Sequence, residues 1–137
     1  MLDKVIGTFG ALFIILIFVL CGVLFIGLVG QWYIIQNEAQ FLAHSQGKYG
    51  GYTQEANNEL QTFVAEKGLD RDRLSVQVSA PGAPVPWGTP VHAKITYNFP
   101  YRLGQWVNFD VPISGQGRAV STYLRGAYNV SYTYPSW

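Results

Sequence analysis

Hydrophobic and polar positions divide the chain into three regimes. From Val5 to Tyr33 the sequence reads VIGTFGALFIILIFVLCGVLFIGLVGQWY, with no charged residue, relieved only by Thr8, the glycines and Gln31. A helix of that length runs about 43 Å, enough to cross a bilayer core of roughly 30 Å. Its large side chains follow no 3.6-residue stripe, and a helix that is apolar all round must be buried all round. Exposing some fifteen such side chains at about 1.5–3 kcal/mol each would cost more than a small domain's whole stability. The segment therefore requires lipid, or protein in place of lipid.

From Ile34 to Gln46 the pattern turns amphipathic, with Ile34, Ile35, Phe41 and Leu42 set against Gln36, Glu38, Gln40 and Gln46. The spacing predicts one continuous helix of about 45 residues, near 68 Å long, whose last third docks on a soluble domain. Gly47 and the Gly50-Gly51 pair supply the stop. Thr53 reads as the N-cap of a short second helix over Glu55–Lys67, ending at Gly68, with Ala56, Leu60, Phe63 and Val64 on its apolar face.

After Leu69 the period changes to two. Leu74, Val76 and Val78 alternate with Ser75, Gln77 and Ser79; Val91, Ala93, Ile95, Tyr97 and Phe99 alternate with polar residues; so do Val107, Phe109, Val111 and Ile113. These are half-buried strands with one face on a core. Between the first two, PGAPVPWGTP is a loop by composition. Pro112 assigns its strand to a sheet edge or a bulge. Tyr128–Tyr134 alternates again and reads as a fourth strand or an extended arm.

The expected fold class is α+β: a long apolar N-terminal helix and a short second helix packed on a small antiparallel sheet of three or four strands. Residues 1–48 form the helical arm and residues 49–137 an exported head. Roughly 90 residues follow Lys48, enough for one small core.

Composition narrows the function. The formal net charge of the 137 residues is +1, and no basic block is present to hold nucleic acid. The single cysteine, Cys21, lies in the apolar run, which excludes a disulfide framework or a thiolate metal site. Nine Tyr, eight Phe and four Trp, many of them from Trp87 onward, suit subunit interfaces and wet surfaces. The apolar run is about twice the core of a cleavable secretory signal, and no small-residue cleavage site follows it. A retained anchor is expected, with the N-terminal side inside, since Lys4 precedes the span and the downstream part reads as exported. Gly7 and Ala11, then Gly22, Gly27 and Gly30, are small residues of the kind that let apolar helices approach closely.

Signals for catalysis are poor. His44 and His92 have no ligand partner at i+3 or i+4 and read as solvated surface residues. Asp70-Arg71-Asp72-Arg73 reads as a solvated turn. Gly115-Gln116-Gly117-Arg118 lacks the strand-to-helix setting of a phosphate loop. Asn129-Val130-Ser131 matches a glycosylation sequon, a pattern common by chance. No enzyme and no cofactor are expected. Asp3 stands out: it precedes the helix, where a carboxylate caps free N–H groups. If the arm is buried among copies of itself, Asp3 and Lys4 need partners there.

The arm Val5–Tyr33, the polar run Gln36–Gln46, the helix Glu55–Lys67 and the strand pair LSVQVSAPG and VHAKITYNFP together resemble the type IV pilin-like proteins. More narrowly, the chain resembles the TadE-like pilins and short pilin-like proteins of Gram-positive bacteria. The resemblance covers nearly the whole chain and rests on layout. It implies a subunit stored in the cytoplasmic membrane, handled by a pilus assembly machinery, and polymerised with copies of itself into a helical filament on the cell surface. In such a filament Asp3, Lys4, Phe9, Phe13, Ile15, Phe18, Leu24, Phe25 and Leu28 would form the core. The sequence departs from the family at one point. Type IV pilins carry a glycine-ended leader and a glutamate at the fifth position of the mature chain, whereas position 5 here is Val5. Either a leader precedes Met1, or no prepilin peptidase acts on the chain; Asp3 is the candidate substitute for the glutamate. The alternative function is a monomeric single-pass membrane protein with an outer binding domain, or a minor component of an export or pilus machine.

Overall fold

A computed structural model describes residues 1–103 and 105–137. The fold is α+β: helix α1 (Leu2–Tyr49), helix α2 (Gln54–Glu66), a 3₁₀ turn (Arg71–Arg73), and strands β1 (Leu74–Val78), β2 (Pro90–Leu103) and β3 (Val107–Val120). The chain divides into two compact units, Met1–Gln31 and Trp32–Trp137. The first is the apolar part of α1. The second, the head, begins within α1 and takes in the amphipathic residues 32–48.

α1 runs 48 residues without a break and stops where Gly50 adopts φ 77°, a conformation that costs glycine nothing. The buried residues of its head part are Ile35, Ala39, Leu42, Ala43, Gln46 and Gly47. Two expectations fail here. Phe41 is 44% exposed, and Gln46 is fully buried. On a helix turning about 100° per residue, 35, 39, 42 and 46 share one face and 41 lies far round from it. Position overrides residue type. The Gln46 amide satisfies itself by donating from Nε2 to the His92 carbonyl (3.2 Å) and accepting the Ala80 N–H on Oε1 (3.2 Å).

Thr53 caps α2 as its sequence predicts, its Oγ1 accepting the Ala56 N–H at 3.1 Å. Gly68, φ 62°, follows the helix. Ala56, Leu60 and Val64 of α2 join Leu74 and Val76 of β1, Val91, Ala93, Ile95 and Tyr97 of β2, and Ile113 of β3 in the buried set.

The sheet is antiparallel in the order β1-β2-β3, with Ile95 paired to both Val76 and Gly115. β3 is an edge strand, consistent with Pro112. β2 and β3 both run longer than their alternation predicts. At the far end of the hairpin they share, the expected inward residue Phe109 is 44% exposed. Toward the other end of β3, Gly115 and Gly117 take the inward positions and lie directly on α1.

The Tyr128–Tyr134 segment is an extended arm, with one isolated bridge from Tyr132 to Thr53. Ser131 accepts the Gln54 N–H (2.8 Å), and Thr133 donates to the Tyr52 carbonyl (3.0 Å). The ladder cannot grow, because its partner enters α2 at Gln54. Tyr52, fully buried, donates its hydroxyl to Asn57 Oδ1 (3.0 Å), which also accepts the Ser136 N–H (2.9 Å). Trp137 donates from Nε1 to the Arg71 carbonyl (3.0 Å). These bonds fasten Ser136 to α2 and Trp137 to the 3₁₀ turn.

Candidate functional site

The apolar segment of α1 is long and apolar enough to cross a membrane, and none of its most apolar stretch is buried. Phe9, Phe13, Ile15, Phe18 and Phe25 are all exposed, and Leu24 and Leu28 are half-buried. By helical angle these seven positions spread over more than half the circumference. A helix apolar over that much of its circumference is normally buried on all sides, in lipid or in protein. Asp3 and Lys4 lie exposed in the first turn, with Asp3 at the positive end of the helix dipole. The Thr8 hydroxyl donates to the Lys4 carbonyl (2.8 Å), the usual way for threonine to satisfy itself in an apolar helix. Cys21 is exposed on the same segment.

On the head, the residues considered for chemistry stay apart. His44 is exposed and bonded through Nε2 to the Gln40 amide (2.9 Å), while His92 points outward from β2. Among the described residues, no three His, Cys, Asp or Glu side chains are grouped to hold a metal ion. Asp70–Arg73 forms the 3₁₀ turn, where Asp70 Oδ1 accepts the Asp72 N–H (3.0 Å) and Arg73 reaches Asp110 on β3 (3.0 Å). Gly115–Arg118 is strand, not a phosphate loop. Asn129 of the sequon is exposed.

Two features escape the sequence pattern. Glu38, on the head part of α1, has its Oε1 enclosed without a hydrogen-bond partner among the described residues. Burial, and then the neighbouring Glu59 carboxylate, push its pKa up to about 7. Burial, with Glu38 as a second cause, also raises the Tyr52 phenol. Beside these residues a groove of about 410 Å³ between α1 and α2 is lined by Phe41, His44, Lys48, Glu55 and Glu59 among others. The second feature is the β2–β3 hairpin tip, where Trp106 is 88% exposed. Below it, Tyr101 stacks on Phe109 (centroids 5.5 Å apart, planes at 15°), and Phe99 lies 5.6 Å from Tyr101.

No family model, curated protein or solved structure matches the chain.

Proposed function

We propose that the chain is a structural subunit of an extracellular type IV pilus-like filament. It is held in the membrane by the apolar part of α1 and then polymerises by bundling these helices. The observation that carries the reading is the exposure of nearly all of the apolar segment, which continues as one unbroken helix into a head with its own core. Such a segment is stable in lipid as a monomer and among other copies of itself as a polymer, and both media satisfy the same surface. Phe9, Phe13, Ile15, Phe18, Leu24, Phe25 and Leu28 then form the filament core, and Asp3 and Lys4 sit at its charged end. The partners are the membrane, further copies of the chain and an assembly machinery; the destination is the cell surface.

The test is electron imaging of material sheared from cells, paired with Ile15→Asp or Leu24→Asp. The wild-type chain should be abundant in the sheared fraction as filaments, and either variant should abolish them, because a carboxylate would be buried in the bundle without a partner. A chain that stays in the membrane fraction, with no filaments, would instead be a single-pass protein whose head binds a partner. Normal filaments from both aspartate variants would remove the bundled-helix core from the reading.

A further inference from the structure

The outer face of the sheet, opposite to the buried one, is built in rows. Register aligns Ser75, Thr96 and Ser114 across the three strands, and next to them Gln77, Lys94 and Gln116. The third row pairs His92 directly with Arg118. In the first row, Thr96 and Ser114 share a hydrogen bond between their hydroxyls (3.0 Å). The second and third rows line an open depression of about 400 Å³. Lys94 and Arg118 stand on a diagonal of the β2–β3 ladder, where side chains leave the backbone about 7–8 Å apart. Like charges so placed repel, and among the described residues neither is in an ion pair. Asp110, the carboxylate of β3, lies about 26 Å along the strand from Arg118 and is taken by Arg73 (3.0 Å).

A solvated sheet face needs polar side chains, but nothing in that need calls for cations without carboxylates among them. Cations flanked by amides and hydroxyls are a donor set for carboxylates. The chain carries a matching set on α2. Glu55, Glu59, Thr62 and Glu66 follow at i, i+4, i+7 and i+11, all exposed, and so form one outward stripe. Helix stability does not account for it. Glu55 and Glu59, four apart, repel each other, and Glu66 ends the helix at the negative pole of its dipole. The side chains of Glu55 and Glu59 leave the helix about 5–6 Å apart, close to the diagonal spacing of Lys94 and Arg118. Within one chain the two surfaces do not meet: among the described residues, no ion pair joins them.

We propose that the basic outer face of the sheet, at Lys94 and Arg118, seats the Glu55–Glu59 stretch of α2 from a second copy of this chain. The contact joins two different surfaces, so each head offers one to a neighbour on either side, and the contact repeats from copy to copy. This rests on the reading that copies of the chain assemble, and it adds a contact between heads to the one between apolar helices. Each exposed ion pair contributes little by itself. Copies confined to one membrane or one filament meet at high effective concentration, which is where the contact forms. Its charges then fix which surfaces become neighbours.

The experiment uses the full chain in phosphatidylcholine vesicles, as an equal mixture of unlabelled and isotopically labelled protein. A carbodiimide joins a carboxylate to an amine that touches it, and mass spectrometry of the digest identifies the joined peptides. The proposal expects Lys94 linked to Glu55 or Glu59 in peptides of mixed label. The link should be lost in 1 M salt, where the Debye length falls to about 3 Å. Arg118→Glu keeps both reacting groups and should abolish the link. Lys94→Glu should abolish it too, and adding Glu55→Lys should restore it with the two groups exchanged. Links found only in peptides of a single label would place the contact within one chain and overturn the proposal. Lys94 left unlinked, or linked to other carboxylates, would mean a different occupant and overturn it equally. Filaments in sheared material without the link would leave assembly standing and the head contact wrong. The link without filaments would keep the head contact and remove the bundled-helix core. Should Arg118→Glu fold poorly, Arg118→Gln must at least weaken the link; an unchanged yield overturns the proposal.

Discussion

Gly117 of β3 lies against the backbone of α1 at Gln40: a β-carbon added to it would stand 2.6 Å from the Gln40 Cα. Gly115 meets Gln36 in the same way, at 2.8 Å from its Cα. Strand and helix are in backbone contact here, with no side chain between them, so the close approach requires glycine. The Gln36 and Gln40 amides then bond β3 carbonyls directly.

Gly117→Ala should therefore destabilise the head by at least the 1–3 kcal/mol typical of overpacking, since no rotamer change can relieve a clash with backbone. The check is the denaturant midpoint of the detergent-solubilised chain, followed by the circular dichroism of the sheet. Gly27→Ala is the control, because a β-carbon there meets nothing within 4 Å. Equal midpoints for the two variants would mean that the strand is free to move off the helix.

These glycines also explain where the sequence pattern stopped. β3 alternates legibly in sequence from Val107 to Ile113; beyond that, the next inward positions are Gly115 and Gly117, with no side chain, and the period disappears although the strand continues to Val120. α1 shows the complementary failure. Spacing places Ile35, Ala39, Leu42 and Gln46 on one face, but residue type puts Gln46 on the wrong side and Phe41 on the right one. The long apolar helix was legible because its length and lack of charge are matters of composition alone. Glu38 was not, because enclosure of a carboxylate depends on how α1 and α2 meet. Trp106 was not, because its place at the outer end of the hairpin follows from the length of strand pairing.

Gln46→Leu preserves volume but leaves the Ala80 N–H and the His92 carbonyl without the partners they now have. An unsatisfied buried polar group costs about 1–3 kcal/mol. The variant should lower the denaturant midpoint and speed hydrogen exchange at the Ala80 amide. Unchanged exchange would show that another group takes over the bond.

Glu38 makes the stability of the head depend on pH in a direction opposite to most carboxylates. Its pKa stands at about 7 in the folded chain against 4.5 for the free group, so between those values the folded state holds a proton that the unfolded state releases. Stability from this group is thus fully present below pH 4.5, falls as pH rises through that window, and stays reduced above pH 7. Glu38→Gln, which cannot ionise, should be more stable than wild type at pH 8 and near parity at pH 4.5. Thermal melts at the two pH values decide it. A variant equally displaced at both would mean that Glu38 acts through shape or hydrogen bonding and not through charge.

Asp3 and Lys4 are the only charged residues before Glu38, and both are exposed on the isolated chain. At a membrane face they remain solvated and cost nothing. In the proposed filament the same turn enters a core of apolar side chains, where each charge needs an opposite one, and the nearest candidates belong to neighbouring copies. Such a pair adds little net stability, since desolvation offsets most of the attraction, but it fixes the register between subunits. Removing one member strands the other, at about 3–5 kcal/mol. Asp3→Ala and Lys4→Ala should each sharply lower filament yield while leaving the membrane-fraction level of the monomer unchanged. Exchanging the two residues, Asp3→Lys with Lys4→Asp, should restore part of the yield, because opposite charges again meet between copies. Measurement requires only the ratio of sheared to membrane-bound protein for each variant. If both single variants assemble at wild-type levels, the pair stays in water and register is set by the apolar residues alone. If the singles fail and the exchange does not rescue them, Asp3 acts at its own helix N-terminus and not across the interface.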